Sequence, residues 1–222
     1  MPPASSGPPA DPVERAAAVA ALGLGRSRAE PTGAVEPFLA DPDPRVRMAA
    51  LGALVRIGGG DVVAAWRRTL GDPDARVRAR ACDLAPKVLG AGPEPDGGHR
   101  LVEALADPDP GVAEAAAWAL GELGSLAVSA GAVAALAGVS RSHTDPLVRE
   151  SAVAALGSLG DPAGLAAVLA ACGDRPAIRR RAVVALAAFE GPEVEAALET
   201  ALADRDWQVR QAAEDLLRPG PG

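Results

Sequence analysis

The residue types that bind metals or carry acid–base and nucleophilic chemistry form no recognisable catalytic arrangement in this chain. His99 and His143, the two histidines, lie in neither an HExxH motif nor another metal-ligand spacing. Cys82 and Cys172 form no CxxC pair and suggest no disulfide framework. No GxSxG, P-loop or GxGxxG motif occurs in a strand–helix context. We therefore predict no catalytic, metal or cofactor site, which favours a non-catalytic protein, and expect surface or capping histidines and buried free thiols.

Arginine and aspartate recur in step within a sequence unit that repeats along the chain. The arginines follow a β-branched or apolar residue: Arg47, Arg78, Arg149, Arg179 and Arg210. The aspartates lie in the turns before them: Asp41, Asp72, Asp145 and Asp204. The arginines could form a row that binds anions, or each could pair with an aspartate of an adjacent repeat. Because both partners recur together, we predict the second arrangement, an Asp–Arg ladder.

The residues best suited to binding a partner surround Trp118. Glu114 and Glu122 lie four residues before and after it, so on a helix all three share one face. A large aromatic flanked by acids suits an interface anchor, although Trp118 could instead fold over its neighbours and fill a gap. The predicted partner-binding residues are Glu114, Trp118, Glu122, Glu150, Arg180, Arg181 and Asp215. Trp66 and Trp207 are expected to pack between helical layers.

The element that positions these residues is a repeat, most clearly Asp145–Gly160 (DPLVRESAVAALGSLG). Its β-branched residue recurs at Val46, Val77, Val112, Val148, Ile178 and Val209, at intervals of 31, 35, 36, 30 and 31 residues. A degenerate copy lies at Asp11–Gly25. A nearly constant interval of this size indicates a stacked array of repeats.

Each copy ends in a helix with one apolar stripe. Counted from the β-branched residue, apolar side chains fall at positions 0, 4, 7, 8 and 11, as in Val148, Ala152, Ala155, Leu156 and Leu159. Asp–Pro pairs open these second helices. Glycines predicted to end them in the left-handed conformation are Gly58, Gly90, Gly124 and Gly160. Shorter first helices are predicted at 35–40, 61–70, 98–106, 130–139, 162–171 and 192–203. No strand-like alternation occurs.

Composition limits the classes of partner. The net charge is −7 and the pI is about 4.9, which argues against binding of nucleic acid through phosphates. Neither a signal peptide nor an apolar run of membrane-spanning length is found, so we expect a soluble cytoplasmic protein without membrane contact. Residues 1–10 and 219–222 are expected to be disordered or flexible tails around one repeat domain at 11–218.

The pattern D-P-x-x-x-V-R-x-x-A-x-x-A-L-G-x-L-G, carried most fully by residues 145–160, resembles the short HEAT repeat, in particular the phycobilisome-lyase-type HEAT-like repeat. The resemblance covers about Asp11 to Arg218 and implies an all-α fold, a right-handed α-α superhelix of about six helix pairs plus a partial N-terminal unit. It implies a concave face, formed by second helices, that binds a protein partner. The pattern is broken at Gly111, at Ala113 and by Pro86 within a helix.

Three functions remain open from the sequence. The first is a scaffold or adaptor that binds an unknown protein or peptide on the concave face. The second, implied only by the resemblance, is an accessory lyase or chaperone for a bilin or other prosthetic group. The third is a HEAT-like DNA-repair glycosylase, against which the acidic charge and scarce aromatics argue. The sequence leaves the oligomeric state undetermined.

Overall fold

The computed structural model describes residues 9–24, 32–59, 61–90, 94 and 96–218, and over these ranges the chain is all-α with no β-strand. Contacts divide the chain into two compact units, Met1–Glu94 and Pro95–Gly222. The single repeat domain expected at 11–218 therefore stays a prediction. Most of the expected tail at 1–10, and all of that at 219–222, lies outside the described residues.

The first unit contains a lone helix, a second helix that follows two 3-10 turns, and one helix pair. Its helices are α1 (Pro12–Leu22), α2 (Pro44–Ile57), α3 (Val62–Leu70) and α4 (Ala75–Leu89), with 3-10 turns at Thr32–Ala34 and Glu36–Ala40. The first helix predicted at 35–40 is thus a 3-10 turn. Helix α2 packs between α1 and α4. Pro86 does not end α4, which continues to Leu89.

The second unit contains four helix pairs among its described residues. Its helices are α5 (Gly97–Ala104), α6 (Pro110–Leu123), α7 (Ser125–Ser129), α8 (Ala132–Ser142), α9 (Pro146–Leu159), α10 (Leu165–Ala171), α11 (Pro176–Ala185), α12 (Pro192–Leu202) and α13 (Trp207–Leu217). Two 3-10 turns, Pro162–Gly164 and Leu186–Ala188, flank α10 and α11. The second helices α6, α9, α11 and α13 pack consecutively against one another. The short helix α7 was not predicted.

Aspartate side chains begin most second helices. Their carboxylates accept a hydrogen bond from the backbone N–H two residues ahead, at 2.8–2.9 Å; the caps are Asp43, Asp74, Asp109, Asp145 and Asp206. A cap of this kind stabilises a helix by about 1 kcal/mol. The prediction that Asp41–Pro42 and Asp72–Pro73 open helices was wrong by two residues. Asp41 and Asp72 instead accept from the N–H of the capping aspartate, at 2.9 Å.

In α9, positions 0, 4, 7 and 8 of the predicted apolar stripe form the core, whereas position 11 is only half-buried. Val148 and Ala152 have no exposed surface, and Ala155 and Leu156 are at most 3% exposed. Position 5 is also buried, as at Val153, so the buried face is wider than the stripe. Burying a leucine or valine side chain contributes about 1.5–3 kcal/mol, so this face accounts for the stacking of consecutive second helices.

Three second helices end at a glycine with a positive φ angle, but only Gly160 has the predicted left-handed αL conformation. Gly58, Gly124 and Gly160 have φ angles of 69°, 55° and 60°. Gly90 has φ −74° and lies in the right-handed helical region, so its predicted left-handed cap was wrong. Its N–H donates to Pro86 O at 3.1 Å, which continues the helical turn.

Candidate functional site

Three adjoining cavities lie along the second helices of the second unit, and we call this surface the α6–α13 groove. The first, of about 290 Å³, lies between α6 and α9 and also touches Arg181. The second, of about 430 Å³, lies between α11 and α13. A third cavity, of about 370 Å³, lies between these two. Arg181 lines all three cavities. The third cavity also shares Ala154 and Ser158 with the first and Val184 with the second. The groove therefore runs continuously across four helices.

The structure places all seven predicted partner-binding residues in this groove. Those in the first cavity are Glu114, Trp118, Glu122, Glu150 and Arg181. Those in the second are Arg180, Arg181 and Asp215. All except Arg181, which lies at position 3 of α11, come together because positions 2, 6 and 10 of a second helix form an i, i+4 row. The buried stripe fixes the opposite side of each helix against the core, so this row faces the groove.

Trp118 forms part of the wall of the first cavity, and 46% of its surface is exposed. The contrast with Trp66 is clear, since that indole is fully buried and its Nε1–H donates to Ala81 O at 2.8 Å. The prediction that Trp66 packs between layers is therefore confirmed. Trp118 has no such enclosure, and its ring is available to a molecule in the groove.

Trp207 does not pack between layers as predicted. It is the first residue of α13, is 65% exposed, and lines the second cavity. A signal was present in the sequence, because Trp207 lies four residues before Gln211 and eight before Asp215. It therefore belongs to the same i, i+4 row of α13 that carries Asp215. The groove has an exposed indole at each end.

The charges in the groove differ between its two ends. On α6, Glu114 and Glu122 form no ion pair or hydrogen bond with the described part of the chain. On α11, Arg180 has none either, and the Nε of Arg181 is buried without a partner among the described residues. The Nη2 of Arg181 donates only a long 3.4 Å bond to Glu150. The groove is thus acidic at α6 and more basic at α11.

None of the predicted ladder residues lines the cavities of the groove, and some of the arginines form bidentate ion pairs. Arg47 donates to Asp72 at 2.7 and 2.8 Å, and Arg179 donates to Asp204 at the same two distances. Arg78 and Arg210 donate to the backbone carbonyls of Asp72 and Asp204, at 2.9 and 2.7 Å. Arg47 and Arg179 therefore connect the turns of successive repeats, whereas the bonds of Arg78 and Arg210 fix the turn that precedes their own helix.

The predicted set of ladder residues needs two corrections, because it included Asp145 and omitted Asp174 and Arg15. The partner of Arg149 is Asp174, at 2.9 and 3.1 Å, and not Asp145, whose carboxylate caps α9. Arg15 of the degenerate first copy also pairs, with Asp41 at 2.8 and 3.1 Å. The signal that would have identified these pairs is a fixed interval of 25 or 26 residues from arginine to aspartate.

The histidines and cysteines do not come together into a site in the described structure. His143 accepts from Asp145 N through Nδ1 at 3.1 Å, whereas His99 is exposed. Burial raises the pKa of the Cys172 thiol to about 11, and Cys82 is buried. Within the described ranges, no group of three His, Cys, Asp or Glu could hold a metal ion. Nor is any described helix both long and apolar enough to cross a membrane.

These repeated helix pairs with a groove along their second helices define the class of α-helical repeat proteins. The family model of HEAT repeats matches residues 9–85, 99–176 and 133–218, and the chain belongs to this family. No curated protein matches the chain.

Solved structures share the fold at low sequence identity. One engineered protein superposes with a TM-score of 0.62 at 22% identity, covering 84% of this chain and 96% of its own. A second engineered protein gives a TM-score of 0.58 at 20% identity, and the match covers 91% of this chain and 94% of that protein. A computationally designed armadillo repeat protein for modular peptide recognition gives a TM-score of 0.59 at 19% identity, and the match covers 84% of this chain and 98% of that protein. These similarities establish the fold alone.

Proposed function

We propose that this protein is an interaction scaffold that binds a segment of a partner protein in the α6–α13 groove. The observation that carries this proposal is the pair of exposed indoles, Trp118 and Trp207, at opposite ends of one continuous surface. Between them lie the exposed apolar side chains of Leu147 and Val184. Aromatic anchors with apolar neighbours are the typical energetic centre of a protein interface.

The dimensions of the groove suit a short extended segment. Packed helices lie about 8–10 Å apart, so the three steps from α6 to α13 span roughly 24–30 Å. An extended chain rises about 3.3 Å per residue, and roughly seven to nine residues would cover that distance. A designed armadillo repeat protein of the same fold was made for modular peptide recognition, which supports a peptide as a ligand for this class of surface.

The finer assignment to the phycobilisome-lyase-type subfamily rests on the repeat pattern at 145–160. We propose it as a sequence subfamily only. The shared positions, such as Val148, Ala152 and Leu156, are buried core residues. They specify how repeats stack, and they carry no chemistry toward a prosthetic group.

Selection from a displayed library of random nonapeptides tests the proposed function. We expect the wild type to enrich peptides that bind it, and Trp118→Ala and Trp207→Ala each to weaken their binding by about tenfold or more, as for interface anchors. Leu202→Ala is the matched control, because Leu202 is 39% exposed but lies on the first helix α12, outside the residues that line the groove.

Circular dichroism of each variant verifies that the helical fold is retained. If no peptide is enriched, or if the enriched peptides bind both tryptophan variants as well as the wild type, the groove is not the binding surface.

A further inference from the structure

If the groove binds a protein segment, as proposed above, its unpaired charges indicate which charges that segment carries. At position 2 of successive second helices the residues are Glu114, Glu150, Arg180 and Gln211. The charge therefore changes sign between α9 and α11. Elsewhere in this unit, Arg149 and Arg179 are satisfied by carboxylates of the ladder. Glu114, Glu122 and Arg180 have no such partner in the described chain.

The α6 end of the groove suits a cationic side chain. Glu114 and Glu122 flank the exposed ring of Trp118 along one helix face, and Glu150 lies across the cavity on α9. A guanidinium or ammonium group over an indole face gains a cation–π interaction, and the carboxylates add charge-assisted hydrogen bonds. Glu150 is partly neutralised by Arg181, so the two glutamates of α6 supply most of the uncompensated charge.

The α11 end suits a carboxylate. Arg180 and Arg181 line the second cavity together with one acid, Asp215. The Asp215 carboxylate accepts a hydrogen bond from Gln211 Nε2 at 2.7 Å, which partly satisfies it. Arg180 forms no hydrogen bond or ion pair with the described part of the chain, so all its guanidinium donors are available. A carboxylate placed here satisfies donors that no described residue occupies.

We propose that the groove binds a dipolar segment, with a basic residue over Trp118 and an acidic residue over Arg180. Two interhelical steps, about 16–20 Å, separate α6 from α11. In an extended chain at about 3.3 Å per residue, this distance places the two charged residues roughly five or six positions apart. The apolar floor between them contains Ala154 and Val184, so small or apolar residues fit the intervening positions.

The nonapeptide selection tests this proposal through the composition of the enriched sequences and through two charge-neutralising variants. We expect paired Arg or Lys and Asp or Glu, five or six positions apart, among peptides enriched on the wild type. Glu114→Gln combined with Glu122→Gln should remove the preference for the basic residue while the acidic preference remains. Arg180→Gln should do the converse. Each variant is therefore the matched control for the other.

Affinity measurements on one enriched peptide give the size of the effect. Replacing its arginine by citrulline, which keeps the shape but not the charge, should weaken binding to the wild type about tenfold, from one cation–π contact and two partly exposed ion pairs. Binding to the double glutamine variant should change little. The emission of the exposed Trp118 and Trp207 reports binding directly.

The outcomes separate this proposal from the proposed function. Peptides that depend on both tryptophans but carry no paired charges would overturn the dipolar segment and leave the scaffold function intact. Paired charges that persist unchanged on the two charge-neutralising variants would also overturn it. A selection that enriches no peptide would refute both proposals.

Discussion

Because consecutive second helices approach closely, we predict that alanine substitutions at two helical glycines have different effects on stability. A Cβ added at Gly157 in α9 would lie 2.7 Å from the Cβ and 2.9 Å from the Cα of Ala185 in α11, so the helices would have to separate. A Cβ added at Gly138 in α8 would meet no heavy atom within 4 Å. Both residues lie inside helices, where alanine is preferred to glycine.

The size of the effect follows from two opposing contributions. Alanine stabilises a helix interior by about 0.5–1 kcal/mol relative to glycine. Overpacking a close contact costs about 1–3 kcal/mol. Gly138→Ala should therefore stabilise the protein, whereas Gly157→Ala should leave it unchanged or destabilise it by up to about 2 kcal/mol. Because helix propensity cancels between the variants, their difference, about 1–3 kcal/mol, isolates the α9–α11 contact.

Urea unfolding followed by circular dichroism measures this difference from the two midpoints and a common slope. Equal stability of the two alanine variants would refute the reasoning, because it would mean that α9 and α11 tolerate a methyl group where their backbones meet. A change in slope for one variant would require a second probe, such as hydrogen exchange of α9 and α11 amides, to give the local free energy.

Two further predictions concern the ladder. Arg179→Ala should lower the free energy of unfolding by about 2–4 kcal/mol, since it leaves the largely buried Asp204 carboxylate without its ion-pair partner. The neighbouring substitution Arg180→Ala should change the free energy of unfolding by less than about 0.5 kcal/mol. Equal destabilisation by the two substitutions in urea unfolding would contradict the ladder. Hydrogen bonds from Arg149 and Arg179 lower the pKa of Asp174 and of Asp204 below the unfolded-state value, about 3.9. The stabilisation from these two ion pairs is therefore present above about pH 4 and lost as the pH falls further. In a plot of the free energy of unfolding against pH, Asp174→Asn should reduce the slope on the acidic side. An unchanged slope would show that the Arg149–Asp174 pair does not contribute.

The helices could be predicted well because several signals agree for each second helix. In α9, the capping Asp145, the Pro at the first turn, the buried stripe and Gly160 all specify the same bounds. The predicted first helix at 192–203 likewise appears as Pro192–Leu202. Periodicity also placed Trp118 in the groove, since a helix buried on one side must expose the opposite side.

The failures arose where residues at equivalent positions of the repeats were compared without asking what each side chain contacts. The residue equivalent to Trp207 is a proline in several other copies, as at Pro146 and Pro176. Comparison among repeats therefore gave no indication of an exposed indole. Asp145 was included in the predicted ladder because the turn aspartates recur in step with the arginines, but the carboxylate of an N-cap residue is already bonded to its own helix.

The run Arg179–Arg180–Arg181 places a packing residue and two groove-lining residues on one helix. Consecutive helical residues project about 100° apart, so three arginines in sequence cannot form one anion site. Arg179 points to the ladder and is satisfied by Asp204, and its side chain is only 7% exposed. Arg180 and Arg181 line the groove, where the described chain leaves Arg180 without a partner. Because unpaired charge at a surface costs stability only when it is desolvated, the groove can keep these donors for a partner while the ladder holds the repeats together. Arg179 therefore contributes to the packing of the repeats, and we expect Arg180 to contribute to binding.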